Sequence, residues 1–488
     1  MNDKNKVLGN TTIYGSEFLN AEIEKCIPRV IEDISNLRMT IYPNATVLPY
    51  KSCMENGLYT RPYYGGVVDN QGELIYDSFL LWKQFTNDEK FGVAVGKIDE
   101  MINLSDVEYI DEDVVYLGDI PTQFGHFLYD SLQRLYFLLY DDHKDKIAVY
   151  VPQQINYASH FIKLYHLAGI AKDKLMSIVK PIRFRSVLVC QPSINYTCRF
   201  HKRFKDVCDL IRGNVPELPY EKIYFSRSKL RGNGVTYGEE LFERIFEQNG
   251  YTIFYPETLS LTKQIRLMKN CKKLAGVSGS AMHLAMFAQD GLECAYFTRT
   301  SHPAYSQLTI DAMRKIKASY IETNASPFLL PICDSPYLID ITLHMEEFLK
   351  NSKFVYKHEK QSHQTMINFL SHFLRHKLAE KRDNYAIKPC KLYFEDIYKV
   401  LHSLFNYIGI ESKVCMITLL KNNETVHTKN NLTESELLLY NDMIDIIYFI
   451  FHSRDDLKNK ECLREIQLLL YKFIEKWENA VPTRELPK

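Results

Sequence analysis

The 488-residue chain carries no surplus charge of either sign: 60 Lys and Arg stand against 60 Asp and Glu. A protein that grips nucleic acid through bulk electrostatics leaves a basic excess, so that class is excluded and any anion binding is local. The 11 cysteines include no CxxC pair. Their nearest spacings, Cys190/Cys198 and Cys198/Cys208, do not suit a zinc knuckle, and reduced thiols are the expectation. Long apolar runs are missing as well. The opening MNDKNKVLGN lacks the apolar stretch of a signal peptide. The most apolar segment, 437–451, is broken by Asn441, Asp442 and Asp445, whereas a membrane span needs about 20 largely uncharged residues. A cytoplasmic location is the expectation. Internal repeats and low-complexity tracts are also absent.

What is present is ample core-forming material, 46% hydrophobic and 13% aromatic, in a length that suggests about three domains. Up to residue 214 short apolar runs alternate with helical patterns. Strands are expected at 66–68, 114–117, 147–151 and 186–189, with helices at 126–140 and 160–168 between them. Such alternation argues for a parallel sheet covered on both faces. The stretch 212–219, with Gly213, Pro216 and Pro219, reads as a linker. Beyond it the alternation restarts, with strands at 222–225, 251–255, 273–277, 294–297 and 319–322. Helices lie between, one ended by Gly250 and one capped by Ser260. From about 350 the spacing of Met366, Phe369, Leu370, Phe373, Leu374 and Leu378 turns helical, and three more helical runs follow. The expected domains are 1–214, 215–345 and a helical 346–488.

Four segments carry chemistry. KLAGVSGSAMHLAMF, 273–287, runs a strand into Ser278-Gly279-Ser280 at the start of a helix. There, unpaired backbone N–H groups and the helix dipole suit a phosphate. His283, one turn in, is either a ligand contact or a satisfied core residue. SRSKLR, 226–231, leaves a strand with Arg227, Lys229 and Arg231 where an open α/β sheet binds its ligand. Glu257, after the next strand, could accept ribose hydroxyls or favour the following helix terminus. In GHFLYDSLQR, 125–134, His126, Asp130 and Arg134 recur at i+4 spacing, and a histidine one turn from a carboxylate suits a general base.

The order GHFLYDSLQRL, SRSKL, PETLSLTKQI and LAGVSGSAMHLAMF resembles glycosyltransferase family 61, as a bacterial-type member. The resemblance spans roughly 64–297. It implies a GT-B-like pair of Rossmann-like domains, with the nucleotide-sugar on the second and the acceptor on the first, plus the C-terminal all-α domain. The implied activity is inverting transfer of a sugar to a glycan or glycolipid, with no cofactor and no bound metal, in surface polysaccharide biosynthesis. UDP is the expected nucleotide. Arg227 and Lys229 would then face the donor diphosphate, Glu257 the nucleoside, and Ser278, Gly279, Ser280 and His283 the donor side of the turn. His126 or Asp130 would act as the base.

Two rival readings stand beside this one. Asp111-Glu112-Asp113 mimics the DxD motif of metal-dependent GT-A enzymes. A nucleotide-binding scaffold without catalysis, working through the helical tail, is the non-enzymatic alternative. The tail adds a further question. Segment 350–391 holds ten Lys and Arg against three Asp and Glu, with His358, His363, His372 and His376. It reads either as a solvated helical face or as a peripheral contact with an anionic membrane. Nucleic acid is not among the expected partners.

Overall fold

The computed structural model describes residues 6–361 except 56–57, 84–90, 196–198, 232–233, 301–302, 304, 326–335 and 360, together with 365, 368, 369 and 372. The chain forms two compact units: Met1–Ser226, Phe246–Thr298 and His302–Glu322 make the first, and Arg227–Ile245, Arg299–Ser301 and Thr323–Lys488 the second.

The first unit is mixed α/β and holds two large sheets. At the centre of a nine-stranded sheet lies β1 (Glu108–Ile120), whose residues 115–120 are buried on both faces. That is the environment of a central parallel strand, and β1 pairs in parallel with Ile147–Pro152 on one side and Ile182–Cys190 on the other. Leu175–Ser177 extends the parallel part. The rest is largely antiparallel: Met39–Pro43 and Thr46–Glu55 both join Ile182–Cys190 antiparallel, and Leu58–Val68 runs antiparallel to Thr46–Glu55 while pairing in parallel with Phe91–Val95. The parallel sheet expected from the apolar runs is therefore half of a mixed one.

The seven-stranded sheet holds β2 (Lys222–Phe225), β3 (Lys273–Val277) and β4 (Glu293–Thr298). In order across the sheet, Thr252–Phe254, β2, β3, β4 and Lys317–Glu322 all run parallel. The chain's beginning completes it, because Thr11–Tyr14 pairs in parallel with Lys317–Glu322 and Lys6–Leu8 adds an antiparallel edge. One apolar cluster joins Val115, Leu117 and Phe127 with Ile223, Leu274 and Leu284, so both sheets rest on a common core.

The helical pattern after β1 breaks early. Helix α1 (Phe124–Asp130) stops at Ser131, and a 3-10 helix, Leu135–Leu139, follows where one helix to 140 was expected. Arg134 is the cause. Its buried guanidinium donates to the carbonyls of Asp77 (2.7 Å), Phe79 (2.9 Å) and Cys190 (3.1 Å) and lies over the Tyr116 ring. Those interior carbonyls need donors, and satisfying three of them outweighs one more helical turn. Phe127, fully buried, stacks on Phe161 of α2 (Ile155–Leu167) at 4.0 Å and anchors α1.

In the second unit Thr236–Tyr237 pairs in parallel with Tyr337–Leu338, and Gln361 donates to the Gly238 and Ile339 carbonyls. A helix, Leu343–Asn351, starts at Thr342, whose hydroxyl accepts from the Met345 N–H. Of the helix expected at 366–378, Asn368, Phe369 and His372 are described, and the rings of Phe369 and His372 meet Tyr237. From 373 on, the expected helical domain, with His376 and the rest of the basic segment, lies outside the described residues, as does His363. Among the described residues no helix is long and apolar enough to cross a membrane.

Candidate active site

Helix α1 begins four residues beyond β1, so its first turn emerges at the carboxyl end of a central strand, where open α/β sheets bind ligands. The expected i+4 pair is present: His126 Nδ1 lies 3.5 Å from Asp130 Oδ2, with the histidine side chain 18% exposed and the carboxylate 4%. With Nδ1 turned to the carboxylate, Nε2 is the nitrogen suited to exchange a proton with a substrate. Arg134, the third member of the sequence stripe, turns away into the core.

Gly125 ties this helix start to the second segment. A Cβ there would fall 2.7 Å from Ser280 Oγ and 3.4 Å from His283 Cδ2, so only glycine lets the two elements meet. Ser278, Gly279 and Ser280 are partly exposed at the carboxyl end of β3, and the Ser278 N–H is held by the Phe297 carbonyl of β4 at 2.8 Å. The structure thus brings His126, Asp130, Ser280 and His283 into one place. The element after the turn is a 3-10 helix, Ser280–Phe287, not the expected α-helix.

His283 is buried, with both ring nitrogens engaged: Nδ1 lies 2.9 Å from Gln307 Oε1 and Nε2 3.2 Å from Ser306 Oγ. Beyond it, a polar chain runs inward. Gln307 Nε2 donates to the Tyr296 hydroxyl (2.9 Å) and to Asp311 Oδ1 (3.3 Å), Tyr296 donates to Asp311 Oδ1 (2.7 Å), and Tyr320 donates to Asp311 Oδ2 (2.6 Å). Because the Gln307 amide nitrogen faces these acceptors, its oxygen must accept, which fixes His283 as the Nδ1–H tautomer. Burial lowers the His283 pKa to about 4, against a smaller upward pull from the Gln307 bond. Burial raises that of Asp311 to about 6, opposed by its three donors. The Tyr129 hydroxyl of α1 donates to the Ser306 carbonyl, and its ring meets His283 edge-on.

Glu257 is exposed in a 3-10 turn, Pro256–Thr258, and Ser260 caps the next helix by accepting from the Lys263 N–H. In the second unit, the Arg227 N–H donates to buried Glu239 at 3.0 Å, while its guanidinium donates to the Gly234 carbonyl at 3.2 Å. Arg299 donates to the same carbonyl at 3.2 Å and stacks on Tyr337 at 4.2 Å. Gly234 has a φ of +93°, and a Cβ on it would meet Arg227 Nη2 at 2.9 Å. Two guanidinium groups converging on one carbonyl suit a multiply charged anion. Lys229 is exposed nearby in sequence.

Sequence reasoning missed Arg299, Ser306, Gln307 and Asp311. The position of Arg299, directly after β4, was the one available signal. The DxD-like triplet is neither a loop nor unpaired: Asp111 and Asp113 lie within β1, and Arg185 bridges both. Hydrogen bonds from Arg185 and Ser186 hold the Asp113 carboxyl down to about 2.

Residues 124–295, which span α1, β2, β3 and the first half of the β4 strand, match the family model described as Glycosyltransferase 61. No curated protein matches the chain.

Proposed function

We propose that this chain, a glycosyltransferase by its family 61 region at 124–295, moves a sugar from a nucleotide-sugar donor to a hydroxyl of a glycan or glycolipid acceptor, with inversion. The observation that carries the reading is the His126–Asp130 pair at a strand's carboxyl end, packed through Gly125 against the Ser280 turn. The acceptor O–H gives its proton to His126 Nε2 as its oxygen bonds to the anomeric carbon. The bond from that carbon to the diphosphate breaks, and its electron pair leaves with the phosphate oxygen. Asp130, the more deeply buried of the two, orients the ring and meets the charge of the imidazolium, the division of labour of a base and its orienting carboxylate.

In the second unit, Arg227, Lys229 and Arg299 form a cationic cluster suited to the charge of a nucleoside diphosphate. In the first unit, the Ser278 and Ser280 hydroxyls and the N–H groups at 279–280 suit the developing charge of the leaving group. Glu257 takes the ribose hydroxyls. Cationic side chains thereby do the work a metal ion does in other transferases. The same reading gives the nine-stranded sheet the acceptor role and the seven-stranded sheet the donor role of a GT-B enzyme, with UDP as the nucleotide.

A thermal-shift series with nucleoside diphosphates and nucleotide-sugars, with and without EDTA, tests it. Ligand that binds only the folded state raises the melting temperature by mass action. One nucleotide is expected to give a shift that EDTA leaves unchanged and Arg227→Ala removes. A shift that appears only with manganese would contradict the cationic reading.

A further inference from the structure

Asp119, the penultimate residue of β1, is a buried carboxyl that the mechanism above does not use. Among the described residues the donor that favours its charged form is its own backbone N–H, and its Oδ1 is fully enclosed and closes no hydrogen bond. The Gly65 backbone covers it: a Cβ on Gly65 would lie 3.9 Å from that oxygen. Among the described residues the interior hydroxyl of Tyr116 also closes no hydrogen bond.

The titratable groups facing Asp119 are Tyr116 on its own strand, Asp130 on α1, Arg134 beyond α1 and Tyr165 on α2. Arg134 is the one cation among the described residues that face it; its Nε and Nη2 are committed to the three carbonyls named above, and its Nη1 lies against Gly118. An ionised carboxylate here would be desolvated and beside a second carboxylate, both of which disfavour the charge; the Arg134 charge and the Asp119 backbone N–H oppose them without outweighing burial.

We propose that Asp119 is a positioning residue of the same site: as an un-ionised acid behind Asp130, it leaves Asp130 the single negative charge facing His126. The inference rests on the reading of His126 and Asp130 as the acid–base pair. Burial, with the Asp130 charge adding to it and Arg134 opposing, raises the Asp119 pKa to about 7. Loss of its proton near neutrality places a second negative charge behind the pair, which stabilises the imidazolium and makes His126 slower to release its proton.

Asp119→Asn, near-isosteric and always neutral, separates the two states. The His126 imidazole C–H resonances, assigned with His126→Gln and followed from pH 5 to 9, should show a second inflection near pH 7 in the wild type and none in Asp119→Asn. Superimposable curves overturn the proposal. Stability gives an arm that needs no substrate. The folded state keeps a proton that the unfolded carboxyl loses at about pH 3.9, so wild-type stability falls as pH rises from there to about 7. Asp119→Asn should therefore gain on the wild type as pH rises, its melting-temperature advantage being larger at pH 8 than at pH 5 by at least about 3 °C. An equal offset at both pH values overturns the proposal. Should Asp119→Asn not fold, carboxyl resonances of the wild type labelled with 13C-aspartate must include one titrating near pH 7 that moves to lower pH in Asp130→Asn. Absence of such a resonance also overturns it. If these arms succeed while His126→Ala keeps full turnover, the base assignment fails and the charge state of Asp119 stands.

Discussion

His126 and His283 lie in the two elements that meet at Gly125, and the fold treats them in opposite ways. One stands at a helix start, partly reachable by solvent, with a carboxylate 3.5 Å from Nδ1. The other is sealed in the core with Gln307 and Ser306 on its two nitrogens, and burial suppresses its protonation down to about pH 4. A histidine that stays neutral and doubly bonded can hold a wall in place. One that borders solvent and an orienting carboxylate can exchange a proton during turnover. Residue type is the same; the partners decide the role.

The largest effect should come from the reachable member. His126→Ala is expected to lower kcat/KM by about 100- to 10,000-fold with an unchanged melting temperature, as measured on donor and acceptor together. His283→Ala should do the converse. It strips partners from Gln307 and Ser306, and a stability loss of about 1–3 kcal/mol in denaturant titrations is expected, with turnover per folded molecule within about threefold of the wild type. A folded, stable and inactive His283→Ala would break the comparison.

Acid titration sharpens it further. His283 has a lower pKa folded, about 4, than unfolded, about 6.5, so the unfolded chain binds the extra proton and stability is lost as pH falls from 6.5 to 4. Asp311 acts with the opposite sign: its folded value of about 6 exceeds the unfolded value of about 3.9, so it adds stability as pH falls through 6. His283→Gln should therefore lose less stability than the wild type between pH 6.5 and 4, and Asp311→Asn more, in melting temperatures taken at half-unit steps. The smallest effect is expected at Lys229. An exposed point charge adds little in high dielectric, and Lys229→Ala should weaken nucleotide binding by no more than about tenfold and lessen its salt dependence.

The strands of the seven-stranded sheet were legible because parallel strands buried on both faces read as short apolar runs between helical patterns. Its first two strands were not. Thr11–Tyr14 pairs with Lys317–Glu322 across some 300 residues, and nothing local announces such a partner. The His126–Asp130 pair was legible from i+4 spacing alone, whereas the end of α1 was not. Leu132 and Leu135 continue the helical pattern, and the helix stops because Arg134 serves carbonyls contributed by Asp77, Phe79 and Cys190, which only the folded chain brings near. The pairing of the Asp111–Asp113 triplet was hidden for a related reason: its charge partner, Arg185, is more than 70 residues away in the chain. Gln307 and Asp311 lie one turn apart on a helix, Tyr305–Arg314, and gave no motif, because their meaning is the line of hydrogen bonds leading back to His283.

The claim that His126 is the base and His283 a wall is tested most directly by one paired assay. Nucleotide release from a panel of UDP-sugars, with a glycan acceptor mixture present, is measured for the wild type, His126→Ala and His283→Ala, each with its melting temperature. The account predicts that His126→Ala melts like the wild type and releases almost no nucleotide, while His283→Ala melts lower yet turns over. Equal turnover by the wild type and a fully folded His126→Ala would contradict it.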